Sequence, residues 1–86
     1  MTTAATLPEA DELMALLARE RAMIVEVDVE GVVEIQPRKN ALCQRVLYGG
    51  ASEQMLRKLA DALMSNAQLM MRCVDIYRAI QAEENA

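Results

Sequence analysis

The side chains that most often carry out chemistry are scarce in this 86-residue chain. Histidine is absent, which removes the usual general base, the His-assisted nucleophiles and the His ligands of zinc sites. The two cysteines, Cys43 and Cys73, stand too far apart for a metal-ligand pair. Each falls on an apolar helical face, where a free thiol behaves as a small hydrophobe, with a disulfide or a reactive thiol as the alternatives. Arg19, Arg21, Arg38, Lys39 and Arg45 supply the cations that a small helical enzyme would need for an anionic substrate, but no motif arranges them. The expectation is a non-enzyme with no metal and no cofactor. What remains is the chemistry of binding, in the thioethers of Met64 and Met71 and in two polar residues, Asn66 and Tyr77, set within an apolar seam.

That seam belongs to a long amphipathic helix expected from Ser52 to Gln81. Steps of three and four land on Leu56, Leu59, Leu63, Asn66, Met70, Cys73, Tyr77 and Ile80, a coiled-coil-like repeat of seven. A second stripe of Met55, Ala62, Leu69 and Ile76 lies beside it, so the apolar surface is wider than one neighbouring helix can hide. Asn66 within the seam is expected to fix register or oligomeric state, with direct contact to a partner as the alternative. Met64 and Met71 face away from the seam, where flexible side chains suit an apolar partner, or are simply exposed.

The first arm begins at Pro8, a residue suited to the first helical position, followed by Glu9, Asp11 and Glu12 at the positive end of the dipole. Leu13, Leu16, Leu17, Glu20, Ile24 and Val27 continue one face. Glu20 is expected at the edge of that face, reaching water or a basic residue such as Arg19 or Arg21 of another chain. From Ile24 to Ile35 two alternatives stand open. Val25, Val27, Val33 and Ile35 alternate as in a hairpin around Val29, Glu30 and Gly31, whereas the lack of a third strand favours helix. Pro37 predicts a kink or break near Val33 to Gln36. Gly49 and Gly50 end the arm, and Ser52 caps the next helix.

The fold class expected is therefore all-α: an elongated antiparallel helical hairpin with a kinked first arm over about 8–48 and a second over about 52–82. The second arm is roughly 45 Å long, and two such hairpins could pair into a four-helix bundle as a homodimer. Residues 1–7 are assigned to a disordered tail, 8–82 to one domain and 83–86 to a frayed end. Composition agrees with this picture, being 53% hydrophobic but only 2% aromatic, as aliphatic helical cores are. A net charge of -4 and a pI near 4.7 argue against nucleic acid. No segment has the length of a membrane span or the form of a signal peptide, so a cytoplasmic location is expected.

With these residues in place, the chain resembles the FlgN-like flagellar export chaperones. The resemblance rests on Leu16, Leu17, Glu20, Ile24, Asp28, Val32, Ile35, Lys39, Leu42 and Val46, and on Asn66 to Leu69 with Met70 and Val74 behind. Family members are usually longer, and their first helix is normally continuous where this chain has Gly31 and Pro37. The resemblance implies a type III secretion chaperone that holds a hook-filament junction protein through an amphipathic client helix. It places the client site on the late helix, here Leu63, Asn66, Leu69, Met70, Met71, Val74 and Tyr77, and implies export-gate docking in which Tyr77 shares. Two other expectations compete with it: a self-associating structural adaptor, and more remotely a chorismate mutase-like enzyme using the cations above.

Overall fold

The computed structural model describes residues 7–85. Residues 1–6 of the expected tail and Ala86 lie outside the described residues. Among the described residues three helices follow one another: α1 (Pro8–Val25), α2 (Val29–Tyr48) and α3 (Glu53–Glu84). The molecule is all-helical, with no strand among the described residues, and it is elongated at 65 × 21 × 18 Å. α3 includes Glu83 and Glu84, which the sequence analysis assigns to a frayed end.

Local sequence sets most boundaries as expected. Pro8 opens α1 with Glu9 and Asp11 in its first turn. The Ser52 side chain accepts from the Met55 N–H at 3.1 Å, satisfying one of the four donors that a helix start leaves free. Gly50 takes φ +79 in the link between α2 and α3, a conformation that costs glycine little.

The break in the first arm lies elsewhere than Pro37. α2 runs through Pro37. The carbonyl of Val33, which loses its helical donor there, belongs to an exposed residue and can turn to water. One step earlier, the Gln36 side chain donates to the Val32 carbonyl at 2.8 Å. The chain reverses instead at Glu26–Asp28. Val27 adopts φ 58, its N–H donates to the Ile24 carbonyl (3.1 Å), and the Asp28 N–H donates to Met23 (2.8 Å). This double closure is the usual glycine-ended helix stop, here carried by a valine. Asp28 then caps α2 by accepting from the Gly31 N–H at 3.0 Å. Residues 24–35 are thus helix, turn and helix, and the alternative of a strand hairpin is set aside.

Because of this reversal the first arm doubles back on itself, and α1 becomes the central helix. It packs antiparallel against α2 and alongside α3, burying Ala10, Leu13, Leu16, Leu17 and Ile24. α2 contributes Ile35, Leu42 and Val46, and α3 contributes Leu59, with Leu56 and Leu63 packed at the edge. Leu13, Leu17 and Leu42 are fully enclosed, so truncating any of them to alanine should cost about 2–5 kcal/mol.

Doubling back also shortens the arm. At 1.5 Å per residue α1 and α2 are roughly 27 and 30 Å long and α3 roughly 48 Å, so the last third of α3 has no helix beside it. From Met71 onward every described residue of α3 except Cys73 is exposed. The seam continues, but its cover stops.

Candidate functional site

The uncovered seam and the α1–α2 turn form the two walls of one apolar groove of about 800 Å³. Met23, Ile24, Val27, Val29, Val32 and Val33 make one wall, from the end of α1 and the start of α2. Met70, Cys73, Val74, Ile76, Tyr77 and Ile80 make the other, from the free end of α3. Asp28, Arg78 and Gln81 are the polar members of the lining. Ile76 and Tyr77 are 61% and 59% exposed, and Val27 63%. Large apolar side chains are thus left open to water in a contiguous surface rather than scattered singly.

The turn that shapes the first wall is strained. A β-branched side chain at positive φ crowds its own backbone, at a cost of order 1–3 kcal/mol. Two closing hydrogen bonds and the Asp28 cap hold Val27 in this conformation. The carbonyl of Val27 further accepts from the Val29 N–H at 3.1 Å, which tightens the corner around Asp28.

Behind the groove a buried polar cluster joins all three helices. Glu20 is 1% exposed and Asn66 4%. One Glu20 carboxylate oxygen accepts from Lys39 Nζ (2.7 Å) and Gln36 Nε2 (2.9 Å), and the other from Asn66 Nδ2 (3.0 Å). Asn66 also donates to the Leu17 carbonyl at 2.9 Å. Burial pushes the Glu20 carboxyl up, but donation from Lys39, Gln36 and Asn66, together with the Lys39 charge, outweighs it and holds the carboxyl below its ordinary value. Glu20 is therefore not an edge carboxylate reaching water or another chain. It was misplaced because its partner, Lys39, lies on a helix that only the reversal at Val27 brings back. No buried polar side-chain atom among the described residues lacks a partner.

The residues expected at the client site divide between these two places. Met70, Val74 and Tyr77 line the groove. Asn66 sits inside the polar cluster and Leu63 packs against the core. Leu69 is half-buried outside the groove lining, and Met71 is exposed about 120° around the helix from Tyr77. Sequence reasoning assigned no residue of the first wall, Met23 to Val33, to a binding site. The signal available was its run of β-branched residues, which reads as strand-like when it is in fact an apolar helix end left uncovered.

The five cations do not share a pocket. Lys39 serves Glu20, Arg38 Nε donates to Glu12 at 2.7 Å, Arg21 donates to Ser65 at 2.9 Å, and Arg19 and Arg45 are exposed. Both thiols are free, and burial raises the Cys43 pKa above its ordinary value. Among the described residues no group of potential metal ligands is found, and no helix is long and apolar enough to cross a membrane. No protein-family model, curated protein or solved structure matches this chain.

Proposed function

We propose that this chain is a helix-binding export chaperone of the cytoplasm, which holds an amphipathic helix of a hook-filament junction protein in the groove between the α1–α2 turn and the free end of α3. The observation that carries the reading is the open apolar groove itself. Its α3 wall presents side chains at steps of three and four, the spacing that receives a helix. From Met70 to Gln81 it is roughly 16 Å long, enough for about three helical turns. The sequence resemblance to FlgN-like chaperones supplies the client class.

Co-expression with the hook-filament junction proteins encoded in the same genome tests the reading. Co-elution is expected, and Val74→Asp and Ile80→Asp should abolish it with little change in Tm, because both residues stand on the free end of α3, beyond the buried core. Failure of the unmodified chain to retain either client, or retention that both variants leave untouched, would remove the proposal.

The same seam favours a second reading, because a repeat of seven on a free helix end also fits a second copy of itself. Client-free dimerisation is then an outcome to be measured by sedimentation.

A further inference from the structure

The turn that reverses the first arm is short and strained, and the helical pattern runs straight through it. Only Glu26, Val27 and Asp28 separate α1 from α2, with Val27 at φ 58. Steps of three and four carry the buried stripe of α1 from Ile24 through Val27 and Gly31 to Ile35, the first buried residue of α2. None of the three turn residues is glycine or proline, and Pro37 is already accommodated within α2. One unbroken helix over 8–48, roughly 62 Å long, is therefore open to the same residues. α1 is also the helix against which both others pack. If it straightens away from its own α2 and α3, a second copy offers it the identical surface.

We infer that two copies of this chain exchange α1: Glu26–Asp28 becomes helical, and α1 of each copy packs on α2 and α3 of the other. A short hinge under strain favours such an exchange, because every contact of the closed chain is remade between copies while the strain is lost. The buried cluster is rebuilt with Glu20 from one copy and Gln36, Lys39 and Asn66 from the other. The bare end of α3 supplies a second reason. The bond from Asn66 to the Leu17 carbonyl sets the level of α3 beside α1, and the two helices advance together to the groove, where the end of α1 meets Met70. Counting equally from that bond, Tyr77 comes level with Asp28 and Ile80 with Gly31. In the closed chain the reversal turns the backbone away at that level. In the exchanged pair the straight helix of the other copy continues there, so the α1–α3 interface extends along the seam and covers Tyr77 and Ile80. Charge opposes the exchange, since Glu26, Asp28 and Glu30 of both copies come near the two-fold axis, and salt that screens them favours it. The inference goes beyond the helix-binding reading and needs no client: the closed chain has the groove, and the exchanged pair fills it with its own helix.

The test is a distance measured within one chain. Spin labels are placed at Asp11 and Gln44, exposed positions on α1 and α2, through non-canonical amino acids that leave both thiols intact. The labelled chain is diluted into excess unlabelled chain, refolded at high concentration, and separated into monomer and dimer by size exclusion. In the closed chain the labels sit on neighbouring helices with axes about 10 Å apart. Along one straight helix they are roughly 50 Å apart. The dimer should show the long distance and the monomer the short one. Val27→Gly suits the turn and disfavours the helix, and should raise the dimer dissociation constant about tenfold or more. Asp28→Ala with Gly31→Ala removes the cap of α2 and adds two helix formers, and should lower that constant by a similar factor. A dimer with only the short distance is a pairing of closed chains, seam on seam, and overturns the exchange. A chain that stays monomeric at every concentration even as Asp28→Ala, Gly31→Ala overturns it as well, as does a dissociation constant that Val27→Gly leaves unchanged. Loss of client co-elution is a separate result, which removes the helix-binding reading and leaves the exchange standing.

Discussion

Single residues hold this molecule in two unusual states, and each gives a measurable consequence. Val27 occupies a conformation that glycine would adopt freely, and its side chain is mostly exposed, so little burial is at stake. Val27→Gly should release the strain, offset in part by the extra freedom of glycine in the unfolded chain, for a net gain of about 1 kcal/mol. In a domain of this size that is a rise in Tm of about 4–8 °C; a fall in Tm would show that the turn is not strained. Glu20 is the opposite case, a charge held inside by three donors. Its carboxyl is depressed below the ordinary glutamate value, so its contribution is complete above that value and is lost as pH falls through the lower folded-state pKa. Denaturant titrations from pH 7 down to about pH 3 should show this loss in the unmodified chain and a flatter profile in Glu20→Gln. The variant should also be less stable by about 3 kcal/mol at pH 7, since Lys39 is then a half-buried charge without its partner.

At the scale of elements, helix starts and the long seam were legible because each has a local cause: Pro8, Ser52 and the repeat from Leu56 to Ile80 need no tertiary information. The reversal at Glu26–Asp28 was not, because the residue in the left-handed position is valine, which carries none of the propensity that marks such a turn. Pro37 drew the expected break to itself instead, yet its cost is met within an otherwise favourable helix that buries Ile35, Leu42 and Val46 on either side of it. Pro37→Ala should therefore raise Tm, the interior proline penalty being about 3 kcal/mol, with helical circular dichroism almost unchanged. A large gain in helicity would mean that α2 is broken there. The free end of α3 makes the complementary prediction. A chain ending at Arg72 should keep nearly the whole core, which extends no further along α3 than Asn66, and so lose little Tm, while losing one wall of the groove and with it peptide binding.

For the whole molecule, one displaced turn accounts for both the hidden cluster and the open groove. Folding the first arm back brings Lys39 and Gln36 to Glu20, and it leaves about a third of α3 without cover. A sequence that specified two equal arms would have hidden Tyr77 and Ile80; this one exposes them beside an apolar corner. The central claim is that a partner helix lies between that corner and the end of α3. The most direct test is to record backbone amide NMR shifts of the full chain as a synthetic amphipathic helical peptide is added. Changes confined to Met23–Val33 and Met70–Gln81 are predicted, with Leu13, Leu42 and Leu59 left in place. Shifts centred on the outer faces of α1 and α2, or none at saturating peptide, would contradict it.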